Sequence, residues 1–190
     1  MINGATKGYG HAMTVNYALA VLVATLSPAD TTNRDNVESA AKCVQEDFGK
    51  LDILIGNAGY LSRFDRLLNI KGTYLMSRAT IPVLLKSYLK TPINLSSEGA
   101  HGVIPGASAY MTTKLMICNL SEFLRIDYGS QDLLAYTVNV GDVSSSSTNR
   151  SWRKEWLAGR YVSWPWDTEE LDVQKDEILE KDLLKVRFSV

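Results

Sequence analysis

Two cysteines and two histidines are all the thiols and imidazoles that this 190-residue chain offers to disulfide or metal chemistry. Cys43 and Cys118 fall inside helix-like segments without metal-ligand spacing, so they read as buried free thiols rather than a disulfide. With only His11 and His101, a multi-histidine metal site is excluded. An excess of charge of either sign is also missing. The formal net charge of −1 provides no electrostatic footprint for nucleic acid or an anionic membrane. No apolar run approaches the roughly 20 residues of a membrane span. No charged region followed by an apolar stretch opens the chain, so no signal peptide is read and a cytoplasmic protein is expected. What is present is ordinary: 45% hydrophobic and 22% charged residues, in a length that buries a real core as one domain.

The chain alternates between two hydrophobic periods. "MINGATKGYGH" is a glycine-rich loop, residues 11–20 suggest a short helix, and "VLVATL" at 21–26 is a β-rich run. In "NVESAAKCVQEDF", Val37, Ala40, Ala41, Val44 and Phe48 share one helical face, and Gly49 is placed to end the helix. "LDILI" at 51–55 reads as a buried strand followed by the turn "GNAG". Helical periodicity returns over 67–87, "INLSS" reads as a strand, 108–129 as a long helix, and "LLAYTVNV" as a further strand. Strands alternating with helices predict a parallel sheet covered on both faces, with ligands beyond the carboxyl ends of the strands. The turns "NGATKGYG", "GNAG", "SSEGAHG" and "NVGDVSSSS" each follow a strand or strand stub, so they are expected to gather on one edge. "SSSST" at 144–148 reads as linker or lid. The charged segment after 163 reads as a solvated helix ending in a short strand.

In "ASAYMTTK", Tyr110 and Lys114 stand four residues apart, on one face of a helix. With nine tyrosines and eleven lysines, about half a match at this spacing is expected by chance. The pair therefore needs context. A phenol has a reference pKa of about 10, and a neighbouring ammonium favours its ionised form, which suits it to proton exchange.

The context is an ordered series: a Gly-x-x-x-Gly-x-Gly loop, "NAG" after a strand, Asn69, Ser97 thirteen residues before Tyr110, and Lys114. In that order the sequence resembles the short-chain dehydrogenase/reductase family, from Gly4 to about Ser163. The resemblance implies an α/β fold: a Rossmann-like, doubly wound parallel sheet in three α/β/α layers. It implies a dinucleotide-binding and catalytic domain over 1–163, followed by a charged tail over 164–190. It also implies hydride transfer between NADPH, with NAD as the alternative, and a small-molecule carbonyl or alcohol substrate. Tyr110 would be the proton donor, Lys114 its cation and the ribose contact, Ser97 the holder of the carbonyl oxygen, and Asn69 the anchor of a relay water. Gly4, Lys7, Gly8, Tyr9 and Gly10 would surround the phosphates, with Lys7 toward a 2′-phosphate. Asp30 would contact adenine, Asn57 the adenosine side, and Val143 and Ser145 the nicotinamide amide; Arg78 is a weaker cofactor candidate. By the same resemblance, the helices at 67–87 and 109–127 form the interface of a homodimer or homotetramer. The tail resembles those of fungal members that reduce ketones in secondary metabolism.

The sequence also departs from the family. Asn3 stands where Thr is usual, Tyr9 where Ile is usual, and Val140 where Pro precedes the glycine. Only Met1 and Ile2 precede the loop, and Asp30 follows Gly10 by twenty residues, where a βαβ unit takes about thirty or more. Parts of the N-terminal half, including the second strand and its helix, are therefore expected to be missing, and the substrate lid to be reduced. A second reading follows from these gaps: a non-catalytic, nucleotide-binding or oligomerising relic of the family.

Overall fold

The computed structural model describes residues 1–20, 29–59, 68–141, 154–163 and 166–187. The glycine loop runs directly into helix α1 (Gly8–Ala20). Helix α2 (Arg34–Phe48) starts at Asn33, whose side-chain oxygen accepts from the Asn36 N–H at 3.1 Å. It ends at Gly49, whose φ of 71° is a left-handed conformation that glycine adopts without Cβ strain. Strand β1 (Ile53–Gly56), helix α3 (Leu68–Leu84), strand β2 (Thr91–Ser96), helix α4 (Ser108–Tyr128) and strand β3 (Tyr136–Asn139) follow. Strand β4 (Tyr161–Ser163) precedes two short helices, α5 (Thr168–Val173) and α6 (Lys175–Glu180).

Among the described residues the four strands are parallel and lie in the order β1-β2-β3-β4. Parallel neighbours need long crossovers, which α3 and α4 supply. On the outer edge of β1, Ile2 forms a single parallel bridge with Ile55, the stub of a further strand. The sequence reading has a strand stub there. The β-rich run at 21–26 and the "SSSST" segment lie outside the described residues.

Side chains alternate across the sheet, so each strand serves both faces. On one face Leu54 packs with Val37 of α2 and Met76, Val83 and Leu84 of α3, while Ile81 and Leu124 join α3 to α4. From β2, Asn94 donates to Ser121 of α4 at 3.0 Å and Ser96 to the Lys114 carbonyl at 2.9 Å, which fixes α4 against that strand. The opposite face carries Tyr136 and Val162 against Leu157, Leu171 and Ile178.

That last cluster differs from the solvated helix suggested by the tail's charges. Leu171 and Ile178 are buried, and residues 183–187 form no strand. Sparse apolar residues on a short charged helix are enough to cover a sheet face when they are the ones turned inward. The tail then runs back along β4, where the Tyr161 N–H donates to the Leu184 carbonyl at 2.8 Å. Arg160, itself buried, pairs with Asp182, and Glu122 of α4 pairs with Arg187 and Lys185.

Candidate functional site

The parallel arrangement sends the carboxyl ends of β1, β2 and β3 to the same edge. There Asn57–Gly59, Ser97–Glu98 and Val140–Gly141 meet the glycine loop around a cleft of about 780 Å³. Gly4, Thr6, Lys7 and Gly8 form one wall, and Tyr110 and Lys114 another.

Backbone proximity dictates the glycine loop. A Cβ on Gly10 would lie 2.2 Å from the Gly4 carbonyl oxygen and 2.4 Å from the Asn57 side-chain nitrogen, so no other residue fits. Gly8 has a φ of +54° and nothing within 4 Å of its missing side chain, which leaves the start of α1 open to the cleft. The first N–H groups of a helix have no partner within it, and they point outward from such an end.

Asn3, at the position of the family's Thr, holds the loop in place. Its Oδ1 accepts from the backbone N–H groups of Asn57 and Ala58, both at 2.6 Å. Asn57 returns its Nδ2 to the carbonyls of Asn3 and Gly4, at 3.1 and 3.2 Å. This reciprocal clamp joins the strand stub to the end of β1. The substitution at a motif's first position was the available signal for it.

Lys114 is buried, and its Nζ donates to the Leu95 carbonyl at 2.7 Å. Burial pushes its pKa down to about 8, with a small opposing effect from Cys118. The same ammonium lies 5.6 Å from the centre of the Tyr110 ring. A methyl placed on Gly59 would stand 3.6 Å from Lys114 Nζ and 3.9 Å from Asn69 Oδ1. One placed on Gly99 would stand 3.5 Å from Ser97 Oγ and 3.7 Å from Tyr110 Cε1. Lys114 and Asn69 thus flank one point, and Ser97 and Tyr110 another. Asn69 is tied to α4 through Thr113, at 3.5 Å. Ser97 accepts from the Gly99 N–H at 3.2 Å and caps the one-turn helix Glu98–His101. That cap is the ordinary role of a serine at a strand end, and its hydroxyl proton is left for another acceptor.

Of the remaining sequence candidates, Gly4, Lys7, Gly8 and Asn57 line the cleft and Gly10 lies beneath it. Tyr9 belongs to the first turn of α1. Two candidates lie elsewhere. Asp30 does not line the cleft; its carboxylate accepts from the Thr32 N–H and hydroxyl at 2.8 Å each, and these bonds hold its pKa below the usual range. It closes a turn before α2. Arg78 is exposed on α3 and lines a separate groove with Arg34, Val37 and Glu38 of α2, so it does not reach the cleft. Nine residues past Asn69, it falls on the opposite side of the helix. Val143 and Ser145 lie outside the described residues. The sequence reading missed Glu98 and Asn139, which also line the cleft.

The sequence model of the family described as short chain dehydrogenase matches residues 12–156. The short chain dehydrogenase mpl6 of Monascus purpureus is 38% identical over 196 aligned positions, taking in 84% of this chain and 67% of that protein. The short chain dehydrogenase pigC of Monascus ruber is 30% identical over 257 positions, with shares of 98% and 85%. Both alignments are longer than the 190-residue chain, so these relatives carry internal residues that it lacks. Among solved structures, the 3-ketoacyl-(acyl-carrier-protein) reductase from Brucella melitensis complexed with NADH superposes with a TM-score of 0.66. It is 23% identical, with 73% of this chain and 72% of that one covered, a likeness of fold. The match over most of the length, together with the parallel sheet, settles the kinship: this chain belongs to the short-chain dehydrogenase family of oxidoreductases.

Proposed function

We propose that the chain transfers hydride between NADPH and a carbonyl or alcohol substrate, with Tyr110 exchanging the proton. One observation carries this reading: Ser97, Tyr110, Lys114 and the loop from Gly4 to Gly8 share a single cleft. The loop fits a dinucleotide, because its backbone is open at Gly8 and leads onto a helix N-terminus. Gly4, Gly8 and Gly10 would border the pyrophosphate, Lys7 a 2′-phosphate, and Lys114 the nicotinamide ribose. The nicotinamide, when bound, supplies or takes up the hydride.

The chain's own groups do the rest. The Ser97 hydroxyl donates to the substrate oxygen and so positions the carbonyl carbon. The Tyr110 hydroxyl gives its proton to the same oxygen, and the Lys114 ammonium offsets the charge left on the phenol. Asn69 would hold a water that restores the proton. Asp30 and Arg78 take no part. The proposed substrate is a ketone of fungal secondary metabolism, in keeping with the fungal sources of the Monascus relatives. Tyr74 on α3 and Met116, Phe123 and Ile126 on α4 are exposed apolar residues, which supports a homodimer or homotetramer through these helices.

A second reading, a nucleotide-binding module without turnover, is favoured by the internal residues that the Monascus relatives carry and this chain lacks. Fluorescence titration with NADPH and NADH, followed by a panel of carbonyl substrates, separates the two. NADPH is expected to bind about tenfold or more tightly than NADH, and equal affinities would remove the role given to Lys7. Binding without reduction selects the module, and absence of both selects a relic.

A further inference from the structure

Glu98 follows Ser97 directly and lines the same cleft. Its Oε1 accepts from Asn139 Nδ2 at 3.4 Å, and its other oxygen has no hydrogen-bond or ion-pair partner among the described residues. Asn139 is buried and doubly anchored. Its Nδ2 also donates to Ser163 Oγ at 3.0 Å, and its Oδ1 accepts from the Gly141 N–H at 3.1 Å. The carboxylate is therefore held by an amide that two strand ends keep in position.

Sheet order gives the direction. Lys114 bonds to Leu95 and approaches Gly59, on the β1 side of Ser97, whereas Glu98 turns toward Asn139 and Ser163, on the β3–β4 side. The two charges consequently flank Ser97 from opposite sides, with no ion pair between them. A carboxylate can only accept hydrogen bonds. An acceptor with a free oxygen beside the carbonyl-holding serine calls for a donor next to the reacting carbonyl.

Building on the reductase reading, we infer that Glu98 is a specificity residue that accepts a hydrogen bond from a hydroxyl or amine on the substrate, adjacent to the carbonyl. The substrate class is then a hydroxy- or amino-ketone rather than a plain ketone. A site arranged to bond a polar group discriminates against the analogue without it far more strongly than an apolar pocket does.

The test uses 2-hydroxyacetophenone and acetophenone with the full chain and with Glu98→Ala, an exposed position where the substitution leaves the core intact. The parent is expected to favour the hydroxyketone in kcat/KM by about tenfold or more. In Glu98→Ala the ratio is expected to fall to within about twofold, with NADPH affinity unchanged. A ratio preserved in the variant, or an NADPH affinity that drops with it, overturns the inference. Calorimetric binding of the two ketones reads Glu98 without turnover. Tight, Glu98-dependent binding of the hydroxyketone without reduction keeps this inference and sinks the reductase reading. Equal reduction of both ketones does the reverse.

Discussion

The Lys114 ammonium lies 5.6 Å from the centre of the Tyr110 ring while donating to the Leu95 carbonyl at 2.7 Å. Helix α4 supplies the four-residue spacing, and strand β2 supplies the acceptor that holds the cation in place. If this pair works as proposed, Tyr110→Phe keeps the ring and its packing and removes only the proton. Reductase activity should then fall by about 10²–10⁴-fold with NADPH affinity little changed. Lys114→Ala should weaken both turnover and NADPH binding. Steady-state kinetics and a fluorescence titration check both, and activity of Tyr110→Phe within a few-fold of the parent would end the enzyme reading.

Burial of the same lysine should be visible in stability against pH. Its folded pKa is about 8, against an ordinary value of 10.5. Above pH 8 the unfolded chain keeps a proton that the folded chain has released, so stability rises with pH. Between pH 8 and 9 the gain should be about 1 kcal/mol. Two groups act the other way, Cys118 already within this window and Tyr161 above it, so the figure is the Lys114 contribution, read as the difference between parent and variant. Burial raises the Cys118 thiol above its ordinary 9.0 and pushes the Tyr161 hydroxyl up to about 12, so the unfolded chain loses these protons first. Urea melts of the apoprotein from pH 7 to 9 test this, with Lys114→Met as the control that should lack the Lys114 part of the rise, since the buried Met1 amine, its pKa lowered by burial, contributes equally to both. Parallel pH profiles for parent and variant would contradict it.

Gly10 offers a packing test of the cofactor loop. In Gly10→Ala the new methyl meets the Gly4 carbonyl oxygen at 2.2 Å, so the loop or α1 must shift. Overpacking of this kind costs about 1–3 kcal/mol. Thermal unfolding should show that loss, and NADPH affinity should fall by about tenfold or more. A variant with the parent's melting temperature and NADPH affinity would show that the loop does not need this close approach.

Assembly is tested on α4. Phe123 and Ile126 are 60% and 66% exposed in the single chain. Sedimentation at micromolar concentration should give a multiple of the 21.1 kDa chain mass, and the double substitution Phe123→Glu, Ile126→Lys should return it to one. A parent that sediments as a single chain rules out the interface.

The local rules written in the sequence were sufficient for much of the fold. The apolar face of α2, its glycine stop and the strand–helix alternation each rest on contacts within a few residues of chain, and the structure keeps them. The glycine spacing and the Tyr110–Lys114 interval were legible for the same reason, since helix geometry fixes which residues share a face. Long-range contacts were not legible. The Asn3–Asn57 clamp spans 54 residues and depends on a strand stub meeting β1. The burial of Leu171 and Ile178 depends on which side of a charged helix faces the sheet. Asp30 and Arg78 matched in sequence order, but only the tertiary structure showed that Asp30 closes a turn before α2 and that Arg78 sits in a groove between α2 and α3. Glu98 carried no local signal at all, because its partner Asn139 is 41 residues away and arrives through the parallel register of β2 and β3. Periodicity is a property of neighbouring residues, whereas the contents of a cleft at the end of a parallel sheet are set by crossovers that bring distant turns together.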